Sequence, residues 1–135
     1  MLAITLARNA DGPTFRAIAK RALTSGLAPD RISFFAGERA SLLPEARLVD
    51  DPTIVHVPRA FGALLDDAVM HRAEDRFDLL YEVFWRIVHG ERALATRTAD
   101  PTVARLSDYG KSVRRDIHKM HAFVRFRETE ADGRK

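Results

Sequence analysis

The sequence predicts an α/β fold in which a small, partly parallel sheet packs against about four helices. Two observations support this class. The first third of the chain reads strand, helix, strand, and from residue 58 onward the apolar residues recur at helical spacing. The chain has 135 residues, of which 46% are hydrophobic and 30% charged. This length and composition predict one globular domain, 1–135, with a real core.

The first predicted unit is a strand–helix–strand crossover. Leu2–Ala7 and Ile32–Ala36 are short apolar runs typical of strands. Between them, Asp11 and Pro13 provide the start signal of a helix, and Gly26 lies where a helix ends in a left-handed residue. The helix is expected to bury Phe15, Ile18, Ala19, Ala22 and Leu23. A connection of this length predicts a right-handed crossover between two parallel strands.

A third strand is predicted at Ile54–Val57, and helices follow it. Pro58 can open a helix that turns Phe61, Leu64, Leu65 and Ala68 inward. The segment 75–89, closed by Gly90, has apolar residues around most of the helix circumference, which predicts a central helix covered on several sides. Its predicted buried residues are Phe77, Leu80, Tyr81, Val83, Phe84, Ile87 and Val88.

The last helix is predicted to be long and basic, and to begin at Asp100-Pro101. Its buried stripe is expected to contain Val103, Leu106, Val113, Ile117, Met120 and Val124, with Tyr109 beside them. At about 100° per residue, Lys111, Arg115 and His118 fall within roughly 60° of one another on the opposite side. Arg114 and Lys119 flank them.

The C-terminal residues suggest a strand. Phe123–Arg127 alternates apolar and basic residues, and Asp132-Gly133 is a favoured hairpin turn. Only two residues follow that turn, so a second strand is missing and an edge is left unpaired. We therefore expect the chain to be a fragment or a truncated form of a longer protein.

Positive charge is concentrated near the C-terminus. The whole chain carries only +3, but residues 100–127 contain seven Lys or Arg against three Asp, which gives +4. A cationic helix face is the surface that a polyanion such as nucleic acid would contact. The predicted nucleic-acid-binding residues are Lys111, Arg114, Arg115, His118, Lys119, Arg125 and Arg127. The alternative is a solvated face in which Asp108 pairs with Lys111 and Asp116 with Lys119.

Other chemistry has little support. The chain has no cysteine, which excludes disulfides, thiolate zinc sites and a cysteine nucleophile. It has no spanning apolar run and no signal-peptide pattern, so a soluble cytoplasmic protein is expected. His118 and His121 lack further metal ligands, and Asp66-Asp67 and Glu74-Asp75 are better explained as structural. We expect no catalysis, metal or cofactor on this chain.

The aromatic residues Tyr81, Phe84 and Trp85 could stack with single-stranded bases, but on so apolar a helix they are expected in the core.

Three stretches carry a family resemblance: Arg76–Tyr81 followed by Trp85-Arg86, Val113–Arg127, and Val57–Phe61 at the start of the helix that Pro58 opens. They resemble an uncharacterised bacterial domain labelled a "probable DNA metabolism protein". That domain is found alone, near a radical SAM protein of DNA repair, or ahead of a UdgX-type uracil-DNA glycosylase domain. The resemblance implies a DNA-repair context but no activity, and no glycosylase motif occurs in this chain.

Two functions remain open from the sequence. The first is a non-catalytic accessory module of DNA repair that binds the nucleic-acid backbone through the basic helix face. The second is a protein-interaction module that docks onto a uracil-DNA glycosylase or a radical SAM partner. An enzyme acting on a modified base is a third class, but the sequence provides no set of ionisable residues for it.

Overall fold

The computed structural model describes residues 1–37, 42–50 and 55–132, with side chains described as far as Met120. Its two strands are β1 (Leu2–Leu6) and β2 (Ile32–Ala36). Its four helices are α1 (Gly12–Thr24), α2 (Arg59–Ala68), α3 (Arg76–Val88) and α4 (Pro101–Asp132). Short 3₁₀ turns lie at Pro29–Arg31 and Leu94–Thr96. The fold is α/β and mostly helical, as the sequence predicts.

The sheet is parallel, and β1 and β2 pair in register from Leu2 opposite Ile32 to Leu6 opposite Ala36. The other edge of β1 contacts the segment around Glu45. Ala3 donates its N–H to the Pro44 carbonyl at 2.9 Å, and the Ala3 carbonyl accepts from Ala46 N–H at 2.8 Å. The Glu45 carboxylate also accepts the Thr5 N–H at 3.0 Å.

The prediction of a third strand at Ile54–Val57 is wrong in its described part. Ile54 lies outside the described residues, and 55–57 form no strand. Val55 and Val57 are instead half-buried against the core in a segment without strand pairing. A loop that buries alternate side chains gives the same apolar pattern as a strand, so the pattern does not distinguish the two. The segment around Glu45 lies beside β1 instead.

The helix ends follow the sequence signals. The Asp11 carboxylate accepts the Thr14 N–H at 2.9 Å and caps α1. Gly26 (φ 73°) and Gly90 (φ 122°) adopt the left-handed conformation after α1 and α3. At each end, the residue after the glycine donates to a carbonyl five residues earlier, Leu27 to Ala22 at 3.1 Å and Glu91 to Arg86 at 2.9 Å. This bonding closes a helix C-terminus, and it favours glycine at the left-handed position.

The core surrounds α3. Phe77, Leu80, Tyr81 and Val83 are fully buried, and Phe84 and Ile87 nearly so. The predicted burial of Val88 is wrong, because 38% of its surface is exposed where α3 ends. Tyr81 and Phe84 are core residues, as expected, and the Tyr81 hydroxyl donates to the Leu27 carbonyl at 2.6 Å. Trp85 is half-buried and stacks on His89 at 4.1 Å.

The last helix leaves the body of the protein after its third turn. Val103 and Leu106 are buried, Val113 is half-buried, and every side chain from Arg114 to Met120 is exposed. The predicted burial of Ile117 and Met120 is therefore wrong: they are 37% and 66% exposed. Their spacing is that of an apolar stripe, but no described element lies opposite it. The side chain of Val124 lies outside the described part.

The strand predicted at Phe123–Arg127 is also wrong, because α4 continues through it to Asp132. Neither Gly nor Pro occurs between Lys111 and Asp132, and Ala, Arg and Glu in this stretch favour a helix. Five alternating residues are too few to outweigh that preference. Asp132 thus lies in a helix, and Gly133 falls outside the described residues. Within the described chain, no helix is long and apolar enough to cross a membrane.

The start of α4 is fixed by an ion-pair network. The Asp100 carboxylate accepts the N–H groups of Thr102 (3.0 Å) and Val103 (3.2 Å). It also pairs with Arg86 of α3 at 2.8 Å, and Arg86 pairs with Glu91 at 2.8 Å. The hydrogen bond from Arg86, followed by those of the helix N–H groups, lowers the pKa of Asp100.

We predict that Asp100→Asn lowers stability at pH 7 by about 1 kcal/mol, because asparagine keeps the cap but loses the ion pair. A depressed folded-state pKa contributes stability that is present above the unfolded value of about 3.9 and is lost as pH falls through the folded value. The difference between wild type and variant should therefore shrink as pH falls below about 4. Urea unfolding across this range is the measurement.

The exposed Asp30, replaced by Asn, is the control for the substitution itself, and it should cost little stability at pH 7. A deficit of Asp100→Asn that stays constant as pH falls below about 4 would contradict the assigned ion pair.

Candidate functional site

The predicted basic face exists on α4 as one continuous exposed surface. Its described members line a shallow, open depression together with Asp108. We call these residues the α4 ridge: Lys111, Arg114, Arg115, His118 and Lys119. All five are exposed. Their common face confirms the predicted helical geometry, whereas binding by them remains a prediction.

Arg114 differs from the other ridge residues because it contacts α2. Its guanidinium donates to the Asp67 carboxylate at 2.8 Å. One turn earlier, an added Cβ at Gly110 would lie 2.9 Å from the Asp67 Cβ. A glycine inside a helix costs about 1 kcal/mol relative to alanine, so its presence here reflects the close approach of the two helices. Arg114 therefore anchors the point where α4 leaves the body.

The remaining ridge cations have no carboxylate partner among the described residues. The pairs Asp108–Lys111 and Asp116–Lys119, which the alternative interpretation required, do not form in the described structure. Lys111, Arg115 and Lys119 are consequently not neutralised by a described neighbour, and a phosphate would not need to displace one. Asp108 at the edge of the depression is the only described acidic residue that lines it.

Arg125 and Arg127 lie on the backbone of α4 instead of on a strand. Their side chains lie outside the described part of the chain. The helical backbone extends the segment that begins at Lys111 to about 24 Å at Arg127, given the rise of about 1.5 Å per residue. Because α4 runs through both positions, Arg125 and Arg127 belong to the same helix as the ridge residues.

The alternative site chemistries find no support in the described residues. No group of three or more His, Asp or Glu among them could hold a metal ion. His118 is exposed, and the side chain of His121 is not among those described. The acidic pairs have structural contacts: Asp67 binds Arg114, and Asp75 accepts from the Tyr109 hydroxyl at 2.7 Å. Burial, then the bond to Asp75, raises the pKa of Tyr109.

Sequence reasoning missed two features. One is the contact of Asp67 on α2 with Arg114 on α4. The other is a crevice at the carboxyl ends of β1 and β2, lined by Arg8, His71, Arg72 and Arg76 among others. The predicted strand–helix–strand unit contained a signal for the crevice, because ligand sites of parallel sheets lie at that edge.

Comparison with known families gives one match. Residues 74–134 match the model of a family described as a domain of unknown function, DUF4130. The match covers less than half of the chain and contains α3, α4 and the α4 ridge. No curated protein and no solved structure matches the chain. The chain is thus similar over this region to an uncharacterised domain, and the similarity specifies no activity.

We predict that Arg114→Ala and Asp67→Ala each destabilise the protein by less than about 1 kcal/mol, since the pair is largely exposed. The double variant should cost less than the sum, with a coupling of a few tenths of a kcal/mol. Urea unfolding of the four proteins gives this coupling. Strictly additive effects would show that the pair contributes nothing to the junction between α2 and α4.

Proposed function

We propose that the chain is a DNA-repair-associated accessory module that binds the phosphate backbone of nucleic acid through the α4 ridge, without catalysis of its own. The single observation that carries the proposal is the set of exposed cations along one helix face that no described carboxylate neutralises. A helix with such a face can follow a polyanion, and every phosphate contact releases condensed counterions.

Binding of this kind positions the protein but does not read sequence. Lys and Arg contacts to phosphates are sequence-independent, and no described Phe, Tyr or Trp side chain lies on the ridge to stack with bases. We therefore propose weak, salt-sensitive binding with little sequence preference. The choice of DNA over other polyanions rests on the resemblance of residues 76–86 and 113–127 to the "probable DNA metabolism protein" family.

The test removes the three ridge cations that have no described ion pair. The triple variant Lys111→Ala, Arg115→Ala, Lys119→Ala should bind DNA at least tenfold more weakly than wild type. The slope of log affinity against log salt should fall by about two to three, since each contact to duplex DNA contributes about 0.9. Fluorescence anisotropy with single-stranded and duplex oligonucleotides, across a salt series, measures both quantities.

The matched control removes the same charge elsewhere. Arg47, Arg59 and Arg92 are exposed and lie off the ridge, so their triple alanine variant should retain the wild-type salt slope. Arg114→Ala alone should have a smaller effect than Arg115→Ala, because Arg114 is already bound to Asp67. Absence of salt-sensitive binding by the wild type, or equal losses in both triple variants, would refute the proposal.

A second candidate function, docking onto a protein partner, is favoured by a different observation. Ile117 and Met120 are exposed on α4, and no described residue covers them. Exposed apolar side chains at helical spacing are what a helix presents to a partner groove. The candidate partners are a uracil-DNA glycosylase and a radical SAM repair protein, as the family resemblance suggests.

Docking predicts a complex that withstands nuclease and moderate salt. With a purified glycosylase as partner, Ile117→Ser with Met120→Ser should abolish co-elution, whereas the ridge triple variant should not. Co-elution that disappears on nuclease treatment would assign the contact to nucleic acid instead. No co-elution with either candidate partner would contradict this second function.

A further inference from the structure

A crevice lies at the carboxyl ends of the two parallel strands and shares no lining residue with the α4 ridge. It is bounded by the loop after β1, the end of β2, and the connection between α2 and α3. Its volume is about 880 Å³, within the range of about 300 to 1,000 Å³ for small-molecule sites. In open α/β sheets, ligands bind at this edge of the strands.

The crevice is lined by a buried arginine whose charge is not neutralised by a described carboxylate. Arg76 is only 3% exposed and is the one charged side chain fully buried among the described residues. It donates to three carbonyls: Val69 at 3.1 Å, Ala73 at 2.9 Å and Arg8 at 2.8 Å. Burial, then the charge of Arg8, lowers its pKa, although a guanidinium stays protonated.

The three carbonyl bonds leave part of the donor capacity of Arg76 unused. A guanidinium has five N–H groups, and the three carbonyl bonds use one on each nitrogen. One N–H therefore remains on each terminal nitrogen. A buried cation is costly without an anionic partner, so an anion in the crevice would compensate the charge of Arg76.

Two exposed arginines border the same space. The Arg8 guanidinium lies over the end of β2, where an added Cβ at Gly37 would come within 3.1 Å of its Nε. Arg72 lies in the connection between α2 and α3 and has no described ion-pair partner. Arginine forks suit phosphate and carboxylate groups because they donate two parallel hydrogen bonds.

The acidic side chains in the lining limit what the crevice can bind. Asp11 caps α1, and the Asp66 carboxylate lies near Gly12, 2.8 Å from where a Cβ would be. These two carboxylates already occupy the N-terminal end of α1, so we assign that end no part in binding. Glu74 also lines the crevice. A doubly charged anion would have to contact the arginines from the side away from these acids.

An apolar surface completes the lining. Met70 is 62% exposed, and it lies in the crevice with the buried Val69, Ala10 and Phe34. Exposed methionine is an adaptable contact for a flat ring because its thioether is flexible and polarizable. An apolar wall with a few convergent polar groups is the usual composition of a site for a small organic ligand.

We propose that this crevice binds a small organic phosphate of mononucleotide size, with its phosphate on Arg8, Arg72 and Arg76 and its ring against Met70. The site is separate from the nucleic-acid binding proposed for α4 and does not depend on it. The ring distinguishes the ligand from inorganic phosphate, and the phosphate distinguishes it from a free nucleoside.

The test is titration of the full chain by isothermal calorimetry with adenosine monophosphate, inorganic phosphate and adenosine. The monophosphate should bind with a dissociation constant below about 1 mM, and more tightly than either part alone. Arg8→Gln and Arg72→Gln should each weaken it about tenfold, because each removes a charge-assisted hydrogen bond. Both variants retain the backbone, so the Arg8 carbonyl still accepts from Arg76.

Two controls separate this site from the ridge. Arg92→Gln removes the same charge from an exposed position outside the crevice and should leave binding unchanged. The ridge triple variant should also bind the monophosphate as the wild type does.

Met70→Ala should weaken the binding of the monophosphate and leave the binding of inorganic phosphate unaffected. His71, which lines the crevice, supplies an imidazole NMR signal that should shift on binding while that of His118 does not.

The proposal fails if the monophosphate does not bind at about 5 mM, or if binding is lost in the ridge triple variant and retained in Arg8→Gln and Arg72→Gln. Equal binding of inorganic phosphate and the monophosphate would refute the part assigned to the apolar wall. Loss of DNA binding in the ridge variant has no bearing on these results, so the two sites can fail independently.

Discussion

The fold depends on the burial of α3 on almost all of its sides. A strand of the sheet and the other three helices contact it: β2, α1, α2 and α4. Phe77 stacks on Phe15 of α1 at 5.7 Å between ring centres, and Phe34 of β2 contacts Tyr81 at 5.4 Å. Burial of each large side chain contributes about 1.5 to 3 kcal/mol, so α3 provides the largest share of the apolar stabilisation.

Polar contacts then fix the orientation of the elements that pack on α3. Arg76 at its start binds carbonyls from the loop after β1, from the residue after α2 and from the following connection. Arg86 near its other end pairs with Asp100, which opens α4. The two arginines thus fix the strand edge and the last helix relative to the same central helix. The crevice and the α4 ridge therefore both depend on α3 for their position, although they share no residue.

Sequence reasoning recovered what local signals determine. The bounds of β2, the Asp11 cap, the left-handed Gly26 and Gly90, and the common face of the ridge all follow from short patterns. It failed where the burial or the pairing of a residue depends on a partner that is distant in the sequence. Ile117 and Met120 have the spacing of buried residues, but burial requires an opposing element, and spacing alone cannot supply one. Nor can local patterns show that Asp67 meets Arg114, 47 positions later.

The exposure of α4 beyond Arg114 has an energetic consequence. Most protein helices gain their stability from a packed apolar face, and the described turns from Arg114 to Met120 have none. Repulsion between neighbouring cations opposes helix formation there, and backbone hydrogen bonds with intrinsic propensity must offset it. Neutralisation of those cations by a polyanion would remove that repulsion. Helix formation in this segment and the binding of a polyanion to it would therefore be thermodynamically linked. Helix formation should raise the affinity for the polyanion by the same factor by which binding raises the helix–coil equilibrium constant.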